Sequence, residues 1–269
     1  MRRPFNVVSL IVCGAAGLAF ACGGGGTTQN QQSSVPASSG AAAPAAVPAA
    51  PAAADASTAA TVTGKVTFTG TAPAPTPIKL SADPYCQKVN PGLTTETEVV
   101  SKDGAVANVF VYVKDGLGDR TFPAPSEPVV FDQKGCHYTP HVLGIQVGQP
   151  LQIVNSDDTL HNVHGHAIAN KEFNQGQPIQ GMKMTHTFST KEVMIPFKCD
   201  VHGWMNAWIG VLDHPYYAVT TTNGTFSLKG LPPGTYTIEA WHEKLGTQTQ
   251  TVTVGPKETK DVAFTFKAA

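Results

Sequence analysis

Cys199, His202 and Met205 are spaced three apart in the stretch CDVHGWM. A thiol, an imidazole and a thioether are donors for a soft or borderline metal, and a sulfur that must act as thiolate needs a dry, polarised setting. The alternation of Val193, Ile195 and Phe197 leading to Cys199 predicts a strand that carries the sulfur on its apolar side. Three donors on one short loop cannot close a trigonal site alone. His161 is the candidate for the missing donor, 38 positions before Cys199 and just after a predicted strand, Leu151 to Asn155, and its turn Ser156-Asp157-Asp158.

Two neutral imidazoles, a thiolate and a weak thioether suit one copper ion that must be held as both Cu(I) and Cu(II). Structural zinc is an alternative, but zinc prefers a closed set without a thioether, so Met205 counts against it. A nucleophilic Cys199 with His202 as base is another, for which no oxyanion donors argue, and no catalytic residue is assigned. A buried Cys and a gap-filling Met without any metal is the plainest reading.

From about Val129 to Leu212 the chain resembles the cupredoxins, the amicyanin and plastocyanin group in particular, through IVNSDDTLHNVHG around His161 and the closing Cys-x2-His-x2-Met. The resemblance implies a Greek-key β-sandwich with His161, Cys199 and His202 as strong ligands and Met205 as a long axial one. It also implies that Asn162 ties the two ligand loops together. His164 and His166 fall on the other side of the strand from His161, which suggests surface or supporting roles. His137 and His141 in GCHYTPH could be imagined as a second metal site. Trp204 is expected to shield the metal or form part of a docking surface.

The remaining elements must position these donors. The chain has 269 residues, net charge −1, 26 Gly and 21 Pro, which argues against a broad nucleic-acid-binding face and for short strands joined by turns. Period-two runs recur at Val62, Val66 and Phe68, at Val109, Val111 and Val113 with Phe110 and Tyr112 opposite, and on to Val262, Phe264 and Phe266. Turn pairs such as Asp103-Gly104, Asn223-Gly224 and Pro233-Gly234 separate them. No window shows a helical stripe, so an all-β protein of sandwiches is expected.

Residues 1–21 read as an export signal, with Arg2 and Arg3 before an apolar run from Val7 to Ala21. Ala19-Phe20-Ala21-Cys22 resembles the lipobox of bacterial lipoproteins, although Ala19 stands where Leu is usual. That resemblance implies cleavage before Cys22 and a lipid anchor on its thiol; ordinary signal cleavage is the alternative. Cys13 would leave with the signal. Residues 22–60 have the composition of a disordered tether, with ends about 35 Å apart. In an exported protein, Cys86 and Cys136 are most simply a disulfide, with a reduced Cys136 beside His137 as the other possibility.

NGTFSLKGLPPGTYTIEAWHEKLGTQTQTVTV, from Asn223 to Val254, resembles the carboxypeptidase regulatory-like domain, a small transthyretin-like sandwich. That family's earlier strands have counterparts in Thr63 to Val66 and Val109 to Val113, upstream of the copper-type unit. The expected plan is one sandwich in two halves, 61–125 and 215–267, with the cupredoxin, 126–214, inserted; a tandem arrangement is the runner-up. The functional expectation is electron transfer with redox partner proteins in the cell envelope or periplasm, from a lipid anchor on the membrane and without nucleic acid. Copper storage or delivery is the alternative.

Overall fold

The computed structural model describes residues 55–72, 74, 76–95 and 103–267. The export signal, Cys22 and most of the expected tether lie outside the described residues. Asp55 to Ala60, expected to belong to the tether, are structured: Asp55 accepts the Ser57 N–H at 2.9 Å, and Lys257 N donates to Thr58 O at 3.1 Å.

In chain order the elements are β1 (Ala60–Thr69), α1 (Pro84–Val89), β2 (Phe110–Asp115), β3 (Val129–Gln133), β4 (Tyr138–Thr139), β5 (Val142–Gln146), β6 (Pro150–Asn155), β7 (His161–Gly165) and β8 (Phe173–Gln177). They continue with β9 (Lys183–Thr187), β10 (Glu192–Lys198), β11 (Asn206–Leu212), β12 (Tyr217–Val219), β13 (Thr225–Leu231), β14 (Gly234–His242), β15 (Gly246–Val254) and β16 (Thr259–Lys267). Among the described residues the protein is therefore all-β apart from one short helix. That helix lacks an apolar stripe because its six residues make fewer than two turns; its start is set by Asp83 at the N-cap and Pro84 in the first turn.

Four sheets pair into two sandwiches. The sheet β13-β1-β16 packs on β12-β2-β14-β15 around Val62, Val66, Val109, Val111, Ile238 and Phe264. The sheet β5-β11-β10-β7-β8 packs on β4-β3-β6-β9 around Phe131, Ile153, Val163, Ile195, Phe197 and Ile209. Among the described residues, β1 and β2 pair only with strands that follow β11, while β3 to β11 pair among themselves. The chain thus leaves the first sandwich after β2 and returns to it at β12.

A third apolar cluster joins the two units. Phe110 and Tyr112 point away from the Val109, Val111 and Val113 face of β2 and meet Val142, Met194 and Leu212 of the second sandwich, with Trp208, Tyr217 and Trp241 around them. This contact breaks the simple alternation expected for β10. Met194 has a left-handed backbone, φ 63°, and the β10–β11 register shifts between Glu192 and Ile195. Val193 and Met194 therefore both serve the cluster between the sandwiches, while only Ile195, Phe197 and Cys199 face the second core.

Candidate metal centre

The five-stranded sheet brings the donors to one end. β7 begins with His161, and its antiparallel neighbour β10 ends one residue before Cys199. The chain then closes a tight loop: Met205 N donates to His202 O at 2.8 Å and Cys199 N to Met205 O at 3.1 Å. His202 N points at Cys199 Sγ, 3.3 Å away, so the loop wraps its own sulfur before β11 starts. Met205 is buried in the same core as Cys199.

His161, Cys199 and His202 are all buried, and one donor atom from each lies within 4.8 Å of the others. His161 Nδ1 and His202 Nδ1 are 2.9 Å apart, and His202 Nδ1 is 3.9 Å from Cys199 Sγ. Each ring is held at its other nitrogen by a carboxylate. His161 Nε2 is 2.9 Å from Asp157 Oδ2, and His202 Nε2 is 2.8 Å from Asp83 Oδ2. A carboxylate can only accept, so the proton sits on Nε2 and the Nδ1 lone pairs face each other and the sulfur. Two such nitrogens and a thiolate converging in a dry site repel one another unless a proton or a metal cation is held among them. The donor set therefore fits a thiolate-and-imidazole metal.

The electrostatics agree with that reading. Burial pushes the Cys199 thiol up, but the adjoining His161 and His202 rings and the backbone N–H groups of Asn162 and His202 outweigh it and bring it to about 6. Burial works against protonation of His161, yet Asp157 and Cys199 raise its pKa; Cys199 and Asp83 do the same for His202. Burial raises Asp157 and Asp83, and their hydrogen bonds, those from the two histidines foremost, leave both below the usual carboxylate range.

The two carboxylates have structural duties of their own. Asp157 accepts the N–H groups of Gly135 and Cys136, both at 2.8 Å, and Asp83 caps α1 through Tyr85 N at 2.8 Å. Neither residue stands out in the sequence as a site residue. Asp157 carries the signal of lying four residues before His161, and Asp83 that of an Asp-Pro helix start.

Cys86 of α1 and Cys136 form a disulfide, S–S 2.02 Å, and Cys86 Sγ is 3.8 Å from His202 Nε2. Trp204 donates its indole N–H to Cys136 O at 3.0 Å and lies beside His202, ring centroids 5.0 Å apart. Asn162 does bridge the loops: its Oδ1 accepts Asp200 N at 2.5 Å and its Nδ2 donates to Asp200 Oδ2 at 3.2 Å. His137 and His141 belong to none of the candidate donor clusters among the described residues. His137 Nδ1 faces Gly135 O, while His141 faces Asn206 O and Glu243 Oε1.

A family model for the carboxypeptidase regulatory-like domain matches residues 206–267, from β11 through β16. The match thus includes β11, which pairs in the sheet of the metal centre, and leaves β1 and β2 outside. No curated protein matches the chain. Among solved structures, a copper-containing nitrite reductase from Thermus scotoductus SA-01 is similar at 22% identity and TM-score 0.31, over 37% of this chain and 25% of that one. A purple cupredoxin from Nitrosopumilus maritimus is similar at 21% identity and TM-score 0.27, over 31% of this chain and 98% of that one. A mutant of amicyanin in the Cu(I) form is similar at 19% identity and TM-score 0.29, over 38% of this chain and 97% of that one. The chain spans about a quarter of the nitrite reductase and nearly all of the two small proteins.

Proposed function

We propose that the protein is an exported, membrane-tethered copper protein that passes single electrons to and from partner proteins in the cell envelope. One observation carries this reading: a buried thiol of lowered pKa converges with two imidazoles whose remaining nitrogens are each locked by a carboxylate. His161, Cys199 and His202 would hold the ion, and Met205, at the loop's end, would supply a weak thioether donor. Copper bound there would supply reversible one-electron exchange. The protein's own part is to keep the ligands from moving between oxidation states, through Asp157, Asp83 and the Asn162 bridge. The Arg2-Arg3 start, the apolar run and Cys22 support export and anchoring. The departure and return of the chain around β3 to β11 support a copper unit inserted in a carboxypeptidase regulatory-like sandwich.

Storage or delivery is a second reading, favoured by the cover over His202. Asp83 and Cys86 lie against the Nε2 edge of the ring, which is buried, and a closed ligand edge retains metal. Absorption and voltammetry of the copper-loaded full-length protein separate the two. Electron transfer requires an intense thiolate-to-Cu(II) band, lost in Cys199→Ser and kept in Met205→Leu, together with a reversible wave. Tightly held Cu(I) without a wave supports storage, and full colour in Cys199→Ser overturns both.

A further inference from the structure

We propose that His164, His166 and Glu172 form a second metal site, on the surface, for a divalent transition cation of the Cu(II) and Zn(II) class. The site is built by the β7–β8 hairpin. Gly165 pairs with Phe173 and His164 with Asn174, so the antiparallel register brings His166 opposite Glu172 just beyond the last pair. Alternation puts His164 and His166 on the same face of the strand, the face turned away from Val163 and the core. The two rings lie against each other, centroids 3.8 Å apart at 33°. One carboxylate oxygen serves both: Glu172 Oε1 is 3.0 Å from His164 Nε2 and 3.1 Å from His166 Nδ1.

The outer half of the site is also in place. His164 Nδ1 lies 3.1 Å from Asp200 Oδ2, and that oxygen accepts Asn174 Nδ2 at 2.6 Å. Both ring nitrogens of His164 thus face carboxylates, Asp200 at Nδ1 and Glu172 at Nε2, with Asn174 Nδ2 also 3.1 Å from Nδ1; a cation taking the place of the proton between Nε2 and Glu172 would leave Asp200 to orient the ring, the arrangement that supports a metal-binding imidazole. One donor from each of the three residues lies within 4.8 Å of the other two. As exposed ion pairs these contacts are worth little. Two adjoining imidazoles converging on one carboxylate oxygen make a preformed three-donor set that leaves coordination positions for water.

Access and chemistry distinguish this set from the buried one. His164 is 20% exposed, His166 34% and Glu172 56%, and His166 borders an open cleft of about 530 Å³, so a hydrated ion can reach it. The set contains no sulfur. It therefore suits borderline divalent ions, Cu(II) most strongly and then Zn(II), and gives no hold on Cu(I) comparable to that of a thiolate.

The test is titration of the full-length protein with Cu(II), followed by equilibrium dialysis and electron paramagnetic resonance, in the wild type and in the Cys199→Ser variant. The wild type is expected to take up one equivalent beyond the thiolate site, with a spectrum lacking thiolate character. Cys199→Ser should retain that equivalent, so this site stands or falls independently of the buried one. Glu172→Gln should weaken it at least about tenfold. The exposed double change His164→Asn and His166→Asn should abolish it while leaving the thiolate band and the melting curve unaltered. Zn(II) in large excess should displace it without bleaching that band. Absence of the additional equivalent in both proteins, or its retention at unchanged affinity in the double variant, overturns the proposal.

Discussion

Asp83 and His202 are 119 residues apart in the chain and 2.8 Å apart in the fold, carboxylate oxygen to ring Nε2. The N-cap of a six-residue helix from one sandwich's connecting segment thus meets a ring on a loop of the other. Replacing Asp83 by Ser keeps a capping oxygen but removes the reach to His202. The expected outcome is copper affinity about 10- to 100-fold weaker with little change in melting temperature. Competition against a chromogenic Cu(I) chelator measures it, and unchanged affinity would mean that Asp83 does not orient the ring.

The Cys86–Cys136 bridge closes a span of 50 residues. Restricting the unfolded chain over that length contributes about 4 kcal/mol. Cys86→Ala with Cys136→Ala is therefore expected to lower the urea midpoint of the apo protein by an amount corresponding to that loss. A shift under roughly 1 kcal/mol would show that the ends of the loop are held by other contacts.

Gly210, in β11, packs directly on the neighbouring sandwich: a Cβ there would stand 2.5 Å from Phe110 Cζ and 2.7 Å from Met194 Cε. Both side chains are buried in the cluster between the sandwiches and have little room to withdraw. Gly210→Ala should cost about 1–3 kcal/mol. A thermal melt matching the wild type would show that the two units are not packed this closely.

His214 is buried, and its Nδ1 accepts the Tyr216 N–H at 3.2 Å, which requires a neutral ring. Burial holds its pKa down to about 4 against an ordinary 6.5. Between those values the unfolded chain binds a proton that the native protein does not, so stability falls as pH drops from about 6.5 to about 4, by roughly 3 kcal/mol in all. Below about 4 both states are protonated and this loss ends. His214→Asn should flatten that part of the profile. Urea midpoints at pH 7 and 4.5 check it, and equal slopes in variant and wild type would remove His214 from the account.

Much of this molecule can be read from local pattern. The alternation of Val109, Val111 and Val113 reports a strand with one apolar face, and Cys199, His202 and Met205 report their chemistry because three donors share one loop. Asp83 cannot be read in the same way, since an acid in a turn looks the same whether it faces water or an imidazole from a distant loop, and Asp157 shows only its spacing of four residues from His161. The path of β10 is likewise hidden. Its apolar residues suggest a regular strand, and only the second packing surface explains why Met194 takes a left-handed backbone and turns Val193 away from the core of the second sandwich.

The sequence by itself determined the all-β class, the donor types and the loop that carries three of them, because strand periodicity and ligand spacing are short-range properties. Tertiary structure decided which nitrogen of each histidine is free, which carboxylates hold the rings, and that Phe110 and Tyr112 face a second sandwich instead of water. Most of those outcomes depend on contacts between segments far apart in the chain, Asp83 with His202 across 119 residues and His161 with His202 across 41. Burial and hydrogen bonding set them, and both exist only once the sheets have packed.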